Sequence, residues 1–287
     1  MEFSRRTVLG TALAALVTGP SRAAPLPLEA QGGQYTSFDG AQLFYRRMGK
    51  GPPVILLHSF ISDGPRTWFN TGIAQAVTQA GFSVVAPDAR AHGLSAAPPG
   101  PYPKDTLAMD VEALIRVLGL KSYRLFGYAM GSRTALRLIL RGARPERAVL
   151  GGSGPVTVFG VEHSIATTIH AIQTGRDARD PQLGVLVQSA IRLQKLNTQA
   201  LISVLKSEGS TPRADLAQAK VPILVLNGDT DRLEGEPGDL AALLPDAAVS
   251  SAPGNHFTVV REPRFAQTGA AFLQSRDPPA RFIAPAL

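Results

Sequence analysis

Short, largely apolar runs alternate along the chain with longer stretches in which apolar residues recur every three or four positions. Residues 53–58 (PVILLH), 82–86, 123–126, 148–150 and 221–226 (VPILVL) have strand length and little alternation. That pattern fits strands buried on both faces of a parallel sheet. Between them the period is helical. Residues 71–80 end at Gly81, and residues 104–118 carry apolar residues at Leu107, Met109, Val111, Leu114, Ile115 and Leu118, with Gly119 at the C-cap position. Residues 130–141 form a third helical pattern, 247–251 a last short strand and 264–273 a last helix. Near the start, residues 34–38 and 42–46 flank Asp39-Gly40, the signal of a two-residue hairpin. Strands and helices in this alternation predict an α/β domain with a mostly parallel sheet, helices on both faces and an antiparallel leading edge.

The rhythm changes between residues 155 and 220, where helical periodicity continues without a strand. This stretch reads as a small helical cap inserted into the core, the other reading being two ordinary crossover helices. The organisation expected is therefore a leader at 1–23, the first part of the core at 24–154, the cap at 155–220, the second part of the core at 221–275 and a proline-containing tail at 276–287.

The leader is expected from Ser4-Arg5-Arg6-Thr7-Val8-Leu9, a twin-arginine pattern, with an apolar stretch behind it and small residues at Ser21 and Ala23. The stretch is too short for a resident membrane helix. It implies bacterial twin-arginine export and a periplasmic or secreted protein with no membrane span after cleavage. Removing residues 1–23 takes away Arg5, Arg6, Arg22 and Glu2 and lowers the formal charge of the 287-residue chain from +7 to +5. The remaining basic residues are scattered, which argues against nucleic acid as a partner. With no cysteine, thiol nucleophiles, disulfides and cysteine metal sites are excluded, and no histidine pair has metal-ligand spacing beside a carboxylate. No metal and no cofactor is expected.

The chemistry lies at the ends of the apolar runs. Phe126-Gly127-Tyr128-Ala129-Met130-Gly131 follows a strand and opens a helix, with glycines placed to let helix and strand pack closely around a residue in a strained turn. His58-Ser59-Phe60 ends an earlier strand, and Asp88-Ala89-Arg90-Ala91-His92-Gly93-Leu94-Ser95 ends the next. Further on stand Asn227-Gly228-Asp229-Thr230-Asp231 and Pro253-Gly254-Asn255-His256-Phe257, each after a strand.

In this order and context the motifs resemble those of the α/β-hydrolase fold family, of the bacterial small-cap serine esterase type, over about residues 34 to 275. The resemblance implies an eight-stranded sheet and a site beneath the cap. It implies Ala129 at the nucleophile position, His256 as general base and Asp231 as the acid that orients it, with Asp229 the rival. The N–H groups of Phe60 and Met130 would be the oxyanion donors, while His58 and the Asp88–Ser95 loop would be structural. His163 and His170 in the cap read as solvated or packed. The family has glycine where Ser59 and Ala91 stand here.

Alanine carries no transferable proton and forms no acyl-enzyme. Three readings follow: a serine hydrolase of small ester-like substrates whose nucleophile has been replaced, an enzyme using the His256–Asp231 pair as a base without serine, and a ligand-binding member of the fold. Neither Ser59, in the oxyanion loop, nor Ser132, inside the helix, is an obvious substitute.

Overall fold

The computed structural model describes residues 30–159, 161–177 and 181–285; the twin-arginine leader lies outside the described residues. Among these, eight strands form one sheet: β1 (Gln31–Thr36), β2 (Gln42–Met48), β3 (Pro53–Leu57), β4 (Ser83–Pro87), β5 (Arg124–Tyr128), β6 (Ala148–Gly151), β7 (Ile223–Gly228) and β8 (Ala247–Ala252). Their order is β1-β2-β4-β3-β5-β6-β7-β8. The pairs β1–β2 and β2–β4 are antiparallel and all others parallel. The mostly parallel sheet and its antiparallel edge are as the sequence predicts.

The apolar runs work by sending alternate side chains to opposite faces. Ile55, Leu57, Leu125, Ile223 and Val225 pack on one face against α2 (Thr106–Val117) and α3 (Met130–Leu140). Val54, Leu56, Phe126, Leu224 and Leu226 pack on the other against α1 (Ile73–Gln79) and α9 (Pro263–Gln274). Each such residue, fully buried, contributes about 1.5–3 kcal/mol of transfer free energy.

Residues 155–218 hold α4 (Pro155–Val158), α5 (Val161–Thr174), α6 (Pro181–Gln194), α7 (Thr198–Ser207) and a 3-10 turn. Ile172, Val187, Leu201 and Val204 from this segment form a third apolar cluster with Met130, at the head of α3, and Leu107. The helical segment is thereby seated over the end of β5. The short α8 (Pro237–Ala241) completes the helices.

Two details differ from the sequence expectation. The Asp39-Gly40 turn spans residues 37–41 rather than two residues, because Ser37 turns inward to donate to Asp110 and Asp39 accepts from Arg90 at 2.6 and 3.0 Å. Tertiary bonds there override the tight hairpin. The helix expected at 71–80 is shorter and follows a π turn at Pro65–Phe69, where Asp63 Oδ1 accepts from the Arg66 N–H at 2.8 Å and Trp68 is fully buried. The tail is tied down at Phe282, whose ring packs edge-on against Phe272 at 5.1 Å.

Candidate active site

The chain leaves β5 and enters α3 through Ala129, which stands at φ 49° and ψ −110°. A non-glycine residue there is strained by about 1–3 kcal/mol. The flanking glycines make the turn feasible. A Cβ on Gly127 would lie 2.3 Å from the carbonyl oxygen of Gly131, and one on Gly131 would lie 1.8 Å from that of Leu57. The Ala129 N–H donates to the Gly151 carbonyl at 2.9 Å, locking the elbow to β6.

Beyond β3, the imidazoles of His58 and His92 clamp two loops together. His58 Nδ1 donates to the Ser59 carbonyl and its Nε2 accepts from the Ala89 N–H, both at 2.8 Å. His92 Nδ1 donates to the Arg90 carbonyl at 2.9 Å and its Nε2 accepts from the Ile61 N–H at 3.3 Å. Asp88, fully buried, accepts from Arg46, Gly64 and Leu94 at 2.8–2.9 Å. These polar groups are satisfied between the two loops and by Arg46 of β2.

Burial, with a smaller contribution from His58, pushes the His92 imidazole down to about 3. It is neutral in the fold, whereas the unfolded chain binds its proton near the ordinary value of about 6.5. Stability is therefore full above that ordinary value and falls as the pH drops towards 3. At pH 4.5 the deficit from this side chain is about 3 kcal/mol. In urea titrations, the stability difference between the parent chain and His92→Gln is expected to shift by about that amount between pH 7 and pH 4.5, in favour of the variant. An unchanged difference would refute the assignment.

At the end of β7 the two acidic candidates separate. Asp231 Oδ2 lies 2.9 Å from His256 Nδ1, and its Oδ1 accepts from the Leu233 N–H at 3.1 Å. Asp229 instead accepts from the Gly254 N–H at 2.9 Å and is exposed. The side chain of Asp231 is 1% exposed and that of His256 10%. The carboxylate thus sits behind the imidazole, out of water.

Tyr128 holds this pair from the elbow side. Its hydroxyl donates to the His256 carbonyl at 2.6 Å, and burial raises it well above its ordinary value, so it remains a protonated donor. The sequence shows this residue inside the elbow, but nothing local signals that its hydroxyl reaches a loop 128 positions away. Replacing it by Phe removes this bond between buried groups. Tyr128→Phe is expected to lower the midpoint of thermal unfolding, at a cost of about 1–2 kcal/mol. An unchanged midpoint would refute the role.

Ala129, Phe60, Met130 and His256 all line one cavity of about 390 Å³. Its roof is Ser164, Ile165 and Thr168 of α5 and Leu186, Val187 and Ala190 of α6. Ser164 and Thr168 share a helix face, while His163 and His170 lie on the exposed side of α5. Arg133, one turn beyond Ala129, also lines the cavity; its Nε donates to the Thr157 carbonyl at 3.1 Å and its guanidinium lies 3.6 Å from Glu208. The four-residue spacing from the elbow is the signal that places it there. Ser132 donates to the Gly151 carbonyl at 2.7 Å and is buried away from the cavity; Ser59 is on its wall. Among the described residues no cluster of His, Cys, Asp or Glu could hold a metal ion, and no helix is long and apolar enough to cross a membrane.

Residues 52–149 match the family model described as alpha/beta hydrolase fold. The chain is 26% identical over 226 residues to a non-heme haloperoxidase of Rhodococcus erythropolis, an alignment covering 69% of this chain and 81% of that protein. The structure superposes on a hydrolase from Pseudomonas aeruginosa PA01 with a TM-score of 0.68 and 25% identity, over 85% of this chain and 99% of that one. It is also similar to the enol-lactonase from Burkholderia xenovorans LB400, with a TM-score of 0.68 and 23% identity over 85% of this chain and all of that one, a likeness of fold alone.

Proposed function

Because the chain belongs to the α/β-hydrolase fold family, we propose that it is built as a serine hydrolase of small ester-like substrates, of carboxylic ester type, and that Ala129 leaves it inactive or impaired in acyl transfer. The observation that carries this reading is the His256–Asp231 hydrogen bond of 2.9 Å, set in the same cavity wall as a strained elbow that has kept its geometry without its nucleophile. With serine at position 129, His256 would take the hydroxyl proton as the oxygen attacks the acyl carbon. Asp231 would hold the imidazole tautomer and stabilise its cation. The Phe60 and Met130 N–H groups would receive the oxyanion. His256 would then protonate the leaving alcohol and activate the water that releases the acid. No cofactor enters this scheme. The twin-arginine leader adds that the reaction belongs in the periplasm or outside the cell.

The intact pair also favours one second reading, in which His256 acts as a base on water or on a substrate proton without serine. Turnover of p-nitrophenyl esters, compared between the parent chain and its Ala129→Ser variant, tests both. Activity confined to the serine form supports the first reading. Activity in the parent chain, lost in His256→Ala, supports the second. No turnover in either form overturns the hydrolase reading.

A further inference from the structure

Ile61, directly after Phe60, stands at φ 50°, a conformation in which a β-branched residue is a genuine outlier. Two side chains from distant parts of the chain hold it there. His92 Nε2 accepts from its N–H at 3.3 Å, and Gln194 Nε2 donates to its carbonyl at 2.7 Å. Gln194 is the last residue of α6, 133 positions away, and also lines the cavity.

Gln194 is an uneconomical choice for packing. Its Oε1 is buried with no hydrogen-bond partner, and an unsatisfied acceptor of this kind is destabilising. Methionine has similar length and would fill the space without that penalty. The amide is explained by what its N–H does, which is to fix the exit of the loop that carries the Phe60 N–H.

We propose that Gln194 is a positioning residue that, through the Ile61 carbonyl, holds the Phe60 N–H in place as an oxyanion donor and so ties the competence of the site to the seating of α6 over it. The proposal rests on the hydrolase reading for the role of Phe60, while the anchoring of the loop stands by itself. The Phe60 N–H is needed by the transition state more than by the substrate, so its misplacement lowers kcat and leaves KM nearly unchanged.

Two measurements test it. In the parent chain, hydrogen–deuterium exchange of peptides covering residues 59–63 is compared with that of Gln194→Met and Gln194→Glu. Exchange is expected to speed up about fivefold in those peptides alone, with the thermal midpoint of Gln194→Met unchanged or raised. In the Ala129→Ser background, adding Gln194→Met is expected to lower kcat on p-nitrophenyl acetate about tenfold, with KM within about twofold. Unchanged exchange, or faster exchange throughout with a lower midpoint, overturns the anchoring. A rise in KM with kcat preserved overturns the positioning role. If the Ala129→Ser chain itself shows no turnover, the hydrolase reading fails, and the exchange result still decides the anchoring.

Discussion

Ala129→Ser is expected to hydrolyse short p-nitrophenyl esters about 10⁴–10⁶-fold faster than the parent chain, the range by which loss of a triad nucleophile lowers turnover. The size of the gain follows from what is already in place. The elbow holds φ 49° with alanine, so the serine inherits a backbone that needs no rearrangement. The imidazole has its Nδ1 on Asp231 at 2.9 Å, which leaves Nε2 as the basic nitrogen. Only one oxygen atom is added, beside a cavity that already holds the base. Initial rates for the parent chain, Ala129→Ser and Ala129→Ser/His256→Ala check this. The third is expected to fall back to the parent level. A serine variant no faster than the parent, or one indifferent to His256, would sink the assignment of the elbow.

Gly131→Ala is expected to prevent folding, or to destabilise the chain by more than about 4 kcal/mol, the scale reached only by severe core and backbone clashes. Its Cβ would meet the Leu57 carbonyl oxygen at 1.8 Å, the Leu57 carbonyl carbon at 2.4 Å and the His58 carbonyl oxygen at 2.9 Å. These are backbone atoms of a central strand and cannot step aside singly. Relief means moving α3 away from β3, which opens the face of the sheet that α3 covers. Gly238→Ala supplies the contrast. An added Cβ there meets nothing within 4 Å, and the site is inside α8. A gain of about 0.4–1 kcal/mol is expected from the restricted unfolded chain. Urea unfolding of both variants, beside the yield of soluble protein, measures the difference. Equal behaviour would mean that the elbow glycines are not sterically required.

What could be read in the sequence follows from how local each determinant is. The strands at residues 53–58 and 221–226 were legible because burial on both faces leaves an unbroken apolar run. The elbow was legible because close helix–strand approach requires glycine at fixed offsets from Ala129. The choice between Asp231 and Asp229 stayed open because both follow β7 within three residues. Only the fold shows one beneath His256 and the other turned back to Gly254. The hairpin departs from its expected form for a related reason. Asp39-Gly40 has the chemistry of a tight turn, but Arg90 draws Asp39 into a buried ion-pair cluster with Asp110, contributed from elsewhere in the chain. The side chains that roof the cavity from α5 and α6 were not legible, since periodicity gives a helix its apolar face without saying what that face covers.

The elbow and the Asp231–His256 pair are specified by separate stretches of the chain, joined through the Tyr128 hydroxyl. The glycines shape the turn whatever side chain position 129 carries, and Asp231 holds His256 whether or not a hydroxyl waits beyond it. Alanine and serine bear the same backbone strain at φ 49°, so selection on stability neither removes an alanine nor opposes a serine. Serine and alanine codons of matching second and third letters differ by a single base. On the hydrolase reading proposed above, one base change would thus separate the two forms of the site, with the rest of the apparatus carried along intact.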